Sequence, residues 1–388
     1  MKRRQFLSLT GTFTGGYLLV PQFLHALGTK PGLSKSNGIV VFLQLNGGND
    51  GLNTLIPYGD SLYYHLRPNI AIARDKVLRI DNHLGWHPKL EGLAAIQQQG
   101  DLSVIQNVGY PNANRSHFRS QEIWQTATNT DTYLDKGWLG RYLDISCKDL
   151  DPVAGISVSM ADNLALAGQE PNSLTVNNPN QFRSFFKGQA SDVVSENPQL
   201  DFVRRIALGT KQGAGMIQDA LKRSSDSTYY PATKLGQNLK WVARLIKGNL
   251  GTRIYYTAHS GYDTHDRQIS ELSRQLQQLD QSVYAFYKDL KENNLINDVT
   301  LVIFSEFGRR VKDNGSGTDH GKAAPMFVIG GNTRGNILGN NPDLFHLDKG
   351  DLIHQIDFRS VYASVLNNKL AFDPKKIDIR QEALTGLF

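Results

Sequence analysis

The apolar run Val299-Thr300-Leu301-Val302-Ile303-Phe304 follows closely on a helical pattern from Arg267 to Asn293, and no other feature limits the fold as much. Ile269, Leu272, Leu276, Leu279, Val283, Phe286 and Leu290 recur at three- and four-residue steps, which puts all seven on one helix face turned toward a sheet. A nearly all-apolar run of strand length reads as a buried strand. An amphipathic helix leading into such a strand is the unit from which helix-covered parallel sheets are built.

The same alternation recurs along the chain. Ile39 to Leu45 reads as a first, central strand, ended by Asn46-Gly47-Gly48-Asn49-Asp50-Gly51. A helix is expected from Pro88 to Gln99, then a strand from Leu102 to Val108, then a helix capped by Ser116 and running to about Thr126. Further strands are expected at Val153 to Ser159, Arg253 to Thr257 and Met326 to Ile329, with helices at Ala232 to Lys247 and from Phe358 to about Leu366. Residues 177–228 are polar and irregular, with helical pieces around Asp201 to Arg205 and Met216 to Lys222, and read as an insertion or cap. The expected fold is α/β: a three-layer domain over 38–388 with a mostly parallel sheet and helices on both faces.

The N-terminus reads as a targeting segment. Lys2-Arg3-Arg4-Gln5-Phe6-Leu7 matches the twin-arginine export pattern and leads into a modestly apolar run from Leu9 to Val20. That run is too short and too rich in Gly and Thr for a permanent span, and no later stretch is apolar enough for one. A leader over residues 1–28, the twin-arginine translocase as a transient partner, and a periplasmic or secreted destination follow as expectations. Cys147 is the only cysteine, so no intramolecular disulfide can form. The formal charge of +6 includes Lys2, Arg3 and Arg4, and the remaining basic residues are dispersed. Without a basic stripe interleaved with aromatics, nucleic acid is not an expected partner.

Chemistry-bearing residues collect at strand exits, where α/β folds place their sites. Asp50 follows the first strand and is either a turn aspartate or a ligand. In Arg115-Ser116-His117-Phe118-Arg119, Ser116 is either a plain helix cap or a hydroxyl in the anion-attracting field of a helix N-terminus. There Arg115 and Arg119 can supply charge to transferring oxygens. Asp263 and His265, two residues apart in a short loop, can grip one ion from one side, while Asp266 suits the N-terminus of the long helix. Glu306 ends an apolar strand, where an unpaired carboxylate is costly, and Asp319-His320 follow in a Gly-rich loop. Pairing of Glu306 with Arg309 or Arg310 is the structural alternative. Dinucleotide, phosphate-loop, zincin and nucleophile-elbow motifs are absent.

Together Gly47-Gly48-Asn49-Asp50, Arg115-Ser116-His117-Phe118, Tyr262-Asp263-Thr264-His265, Ser305-Glu306-Phe307-Gly308-Arg309 and Thr318-Asp319-His320-Gly321 resemble a bacterial family, domain of unknown function 1501. Its members commonly carry twin-arginine leaders, and the family is similar in fold to the alkaline phosphatase and sulfatase superfamily. The resemblance implies one or two divalent cations beside a Ser, Thr or modified Cys nucleophile. By matching position, Asp50, Asp263, His265, Glu306 and His320 resemble metal ligands, Ser116 resembles the nucleophile, and Asp319 is expected to orient His320. The Asp-x-His spacing is tighter than the superfamily's usual step. Glu306 replaces a site that often includes histidine, which shifts the expected ligands toward oxygen and makes Mg, Mn or Ca as suitable as Zn. Phe118 and Ser120 stand where a sulfatase conversion signature needs Pro and Arg, which argues against a formylglycine enzyme. The function so implied is an exported, metal-dependent hydrolase of small anionic phosphate or related esters. The alternative is a non-catalytic exported binding or envelope-assembly protein with a structural metal.

Overall fold

The structure, a computed structural model, describes residues 38–160, 162–179 and 198–388. All lie in the compact unit Asn37–Phe388. The leader expected at residues 1–28 lies outside the described residues, as does the 180–197 part of the expected insertion.

In chain order the elements are β1 (Ile39–Asn46), α1 (Gly51–Thr54), β2 (Leu55–Ile56), α2 (Ser61–Leu66), β3 (Leu78–Arg79), β4 (Gly85–Trp86), α3 (Glu91–Gln98) and β5 (Leu102–Gly109). There follow α4 (His117–Thr126), α5 (Trp138–Ser146), β6 (Gly155–Ser157), β7 (Ser173–Thr175), α6 (Pro198–Arg223), α7 (Lys234–Lys247), β8 (Ile254–Ser260) and α8 (Gln268–Glu292). The chain ends with β9 (Val299–Ser305), β10 (Ala324–Gly330), β11 (Ile337–Leu338), β12 (Ile356–Asp357) and α9 (Phe358–Lys369).

The main sheet runs in the order β11-β5-β10-β9-β1-β8-β6-β7, with β12 also on β5. Every pairing is parallel except those of β10, which runs against both β9 and β5. Central strands buried on both faces explain the unbroken apolar runs. Val41, Leu43, Leu45, Leu301 and Ile303 enter one core, with Leu93, Leu239, Leu276 and Phe286 from α3, α7 and α8. Val40, Phe42, Val302 and Phe304 enter the other, with Trp124, Trp138 and Tyr362 from α4, α5 and α9. The molecule is therefore a three-layer α/β domain with a mostly parallel sheet. Among the described residues no helix is long and apolar enough to cross a membrane.

Register sets where the site forms. Leu45 pairs with Ser305 and Asn46 with Ser260, so β1, β8 and β9 all end on one line. Reversal of β10 then has a consequence for function. No helix lies between β9 and β10, and a connection without one stays at its own edge of the sheet, which demands an antiparallel return. Within that connection Gly308 and Arg310 pair their backbones with Lys322 and Asp319. The loop carrying Asp319 and His320 is thus folded back beside Glu306 rather than sent to the far edge.

Two expectations are corrected. The segment read as separate helical pieces is one helix, Pro198–Arg223, whose polar face and interior glycines hid its continuity. Ile269, placed with six buried residues of α8, is 51% exposed, whereas Gln268 is fully buried. The first turn of α8 lies at the polar strand exits, where Gln268 donates to Asp50 and accepts from Thr318.

Candidate metal centre

The loops leaving β1 and β8 meet closely. Gly47 adopts φ +119° and has no room for a side chain, because a Cβ there would lie 2.4 Å from the Asp263 nitrogen. Beyond β8 the chain reaches Asp263 and His265, and the folded-back β9–β10 loop brings His320 to them. The Nε2 atoms of His265 and His320 lie 2.9 Å apart, and Asp263 Oδ1 lies 3.0 Å and 3.1 Å from them. From the first turn of α4, His117 adds an Nε2 atom 3.4 Å from Asp263 Oδ2. One donor atom each of His117, Asp263 and His320 falls within 4.8 Å of the others.

An oxygen stands on the other side of each ring. His320 Nδ1 donates to the Arg115 carbonyl at 2.8 Å, which requires its proton to be on Nδ1. His117 Nδ1 faces Glu306 Oε1 at 2.9 Å, and His265 Nδ1 faces Asp319 Oδ1 at 3.2 Å. With an oxygen behind each ring, all three Nε2 atoms face one carboxylate, the arrangement by which proteins orient metal-binding imidazoles. His117 Nε2 is buried and has no hydrogen-bond partner. A tetrahedral ion with ligands at about 2.1 Å spaces them by about 3.4 Å, and Asp263 oxygens lie 3.0–3.4 Å from each of the three Nε2 atoms. The donors present fit a divalent cation.

Charge is arranged to match. Burial acts to raise the Asp263 carboxyl, but hydrogen bonds from Arg309 and His320 outweigh it and hold the group at about 2, permanently ionised. Burial pushes His320 down, favouring the neutral imidazole that a metal needs. The hydrogen bond to Glu306 pushes His117 up, against burial. Arg309 is fully buried and donates to the carbonyls of Gly48, Thr318 and Tyr262 as well as to Asp263 Oδ1 at 2.6 Å, tying the three loops together. The cluster itself is open, with Asp263 48% and His265 43% exposed at the side chain.

Of the residues singled out in the sequence, Asp263, His265 and His320 are brought together, with Asp319 behind His265 rather than behind His320. Glu306 is fully buried and lies behind the rings: its Oε1 accepts the Gly47 N–H at 2.8 Å, faces His117 and accepts from Gln121 at 3.3 Å. Asp50 is fully buried elsewhere at this edge, its Oδ2 held at 2.5 Å by both Arg67 Nη1 and Gln268 Nε2. Ser116 is the N-cap of α4, its side chain making no capping bond. Both arginines expected near the oxyanion are committed elsewhere. Arg115 pairs with buried Asp351. Arg119 is buried, donates to the carbonyls of Asn129, Thr130 and Thr132, and lies 3.7 Å from the Tyr133 ring centroid.

His117, Arg67, Gln268 and Arg309 escaped the sequence reading as site residues. His117 alone left a usable signal: it follows Ser116 at a helix N-terminus, so any ligand near that serine is also near the imidazole. The donor set also differs from the oxygen-rich one expected. Three imidazoles and one carboxylate converge, while Asp50 is paired with Arg67 and Glu306 lies behind the His117 ring.

No curated protein matches this chain in sequence. Solved structures similar to it include the lipoteichoic acid synthase LtaP of Listeria monocytogenes, at 10% identity and TM-score 0.42, covering 88% of this chain and 73% of that one. The zinc complex of the C-terminal periplasmic domain of EptC from Escherichia coli aligns at 12% identity and TM-score 0.38, over 76% and 73% of the two chains. A protein of the alkaline phosphatase superfamily from Vibrio parahaemolyticus aligns at 9% identity and TM-score 0.40, over 87% and 67%. Similarity at this level says nothing of what this chain binds or turns over. The sequence match is firmer: residues 94–360, more than half of the 388, match the family described as protein of unknown function (DUF1501), and the chain belongs to that family.

Proposed function

We propose that this chain is an exported metal-dependent hydrolase of small phosphate or related esters, with Ser116 as nucleophile. One observation carries the reading: three imidazoles, each supported from behind, converge with Asp263 beside a helix N-terminus that presents a serine free of any capping bond. A divalent cation held there supplies Lewis acidity to an ester oxygen and makes a nearby hydroxyl or water easier to deprotonate. The nitrogen-rich donors favour zinc or another borderline metal over calcium or magnesium.

The chain's own residues account for the remaining parts. Asp263 stays ionised beside Arg309 and contributes negative charge to the ligand set. The first N–H groups of α4 have no partner within the helix and attract an anionic substrate toward Ser116. Arg309 and Glu306 fix the loops on which the donors stand. Export rests on Arg3 and Arg4 in the leader pattern, with the twin-arginine translocase as the partner in transit.

The commitment of Arg115 and Arg119 to structural partners favours a second reading, an exported binding or assembly protein that keeps the ion and performs no turnover. Zinc- and manganese-loaded protein assayed against a panel of phosphate and sulfate esters separates the two. Under the hydrolase reading Ser116→Ala lowers turnover by at least ~10³-fold while the ion stays bound. Unchanged turnover in that variant removes Ser116 from the mechanism, and inactivity of the loaded wild type on every ester favours the binding protein.

A further inference from the structure

Asp50 and Arg67 form a second charged centre at the same edge of the sheet. Both side chains are 0% exposed. Arg67 follows α2 in the segment between β2 and β3, whose Tyr58, Tyr63 and Val77 form a small core of their own with Val311 and Leu352. That core seats the guanidinium. Nη1 donates to Asp50 Oδ2 at 2.5 Å and to Asn53 Oδ1 at 3.0 Å, Nε to the Val311 carbonyl at 2.7 Å, and Nη2 to the Arg310 carbonyl at 2.8 Å. Every partner is an oxygen, and one is a carboxylate. Asp50 Oδ1, buried and without a hydrogen-bond partner, is a further oxygen there.

A carboxylate, a side-chain amide oxygen and two backbone carbonyls, here gathered about one guanidinium, are the kinds of donor that a hard divalent cation takes. Here a guanidinium, charged at all working pH, fills that place and satisfies the same oxygens. We infer that Arg67 is a built-in substitute for a second cation, so that the chain takes up one exchangeable ion, at the histidine cluster, and Asp50 is not a ligand of it. The inference rests on the histidine cluster being a metal centre, as proposed above. A guanidinium neutralises charge but offers no open coordination position, so it supplies no Lewis acidity. Removing Arg67 leaves a buried, uncompensated carboxylate, and a divalent cation becomes the natural replacement.

The test is metal stoichiometry by elemental analysis after dialysis against zinc chloride or manganese chloride, on wild type, Asp50→Asn, Arg67→Met and His265→Ala. Thermal unfolding in chelator, with and without added manganese, is measured in parallel. Wild type is expected to hold one ion, Asp50→Asn still one, and His265→Ala none. Arg67→Met is expected to unfold at a lower temperature in chelator, to recover in manganese, and to hold a second ion. Two ions in wild type, or loss of the ion in Asp50→Asn, overturns the inference. Should Arg67→Met not fold, the wild-type and Asp50→Asn counts decide. No ion at all in wild type refutes the histidine metal centre instead; manganese rescue of Arg67→Met then still supports the substitution of a cation by Arg67, and its failure refutes that too.

Discussion

Asp50 and Asp263 follow adjacent parallel strands, β1 and β8, at one edge of the sheet, and they end in opposite environments. Asp50 is sealed in the interior against Arg67 and Gln268, whereas Asp263 stays half-exposed among three imidazoles. Residue type and position at a strand exit therefore do not decide which carboxylate is open to a ligand. The deciding factor is how completely a long cationic side chain closes over it. Arg67 does so completely at Asp50. Arg309 does so only in part at Asp263, taking one side of Oδ1 and leaving Oδ2 toward His117.

The sharpest way to break this contrast is to remove one partner from each centre. Arg67→Met should cost about 3–5 kcal/mol of folding stability in chelator, the usual penalty for stranding one member of a buried ion pair. His265→Ala should leave chelated stability within about 1 kcal/mol of wild type, because the ring it removes is 43% exposed at the side chain, and should abolish metal uptake. Equal destabilisation by the two substitutions, read from urea unfolding, means the open cluster is as structural as the closed one.

A second effect belongs to the closed side. His87 is buried and its imidazole is held down to about 4, by burial first and by Lys89 second. The unfolded chain takes up that proton near pH 6.5 and the folded one does not, so stability is complete above pH 6.5 and falls as pH drops toward 4. The loss amounts to at most about 3 kcal/mol. In His87→Gln the slope of unfolding free energy against pH across that window should flatten; an unchanged slope assigns the acid sensitivity to other groups.

The smallest effect sharpens the open side. Asp319→Asn removes the carboxylate behind His265 and should weaken metal binding about 10–100-fold without preventing it. Isothermal titration with zinc reads the change, and unaltered affinity removes Asp319 from the support of the site.

Much of this architecture is legible in the residues alone, for a physical reason. Strands such as Ile39–Asn46 and Val299–Ser305 are buried on both faces and leave continuous apolar runs, and α8 leaves a long three- and four-residue rhythm. Asp263, His265 and His320 sit in loops directly joined to those strands, so their convergence follows from the strand order. Arg67 was not legible, because it lies among elements of two to six residues that carry no period. Its partnership with Asp50 exists only once that small core has folded. Glu306 was placed correctly at the strand end, but its direction behind the His117 ring depends on where α4 packs, which no pattern along the chain records. Ile269 misled for the converse reason: the rhythm continued into the first turn of α8, where Gln268 is the buried residue.

One measurement bears most directly on the convergence of His117, His265, His320 and Asp263 on a single divalent ion. It is a crystal structure of zinc-loaded protein with anomalous diffraction at the zinc edge. One peak is expected at about 2.0–2.2 Å from the three Nε2 atoms and the Asp263 carboxylate, with Arg67 still on Asp50. A peak coordinated by Asp50 and Glu306, or no peak within reach of the three imidazoles, contradicts it.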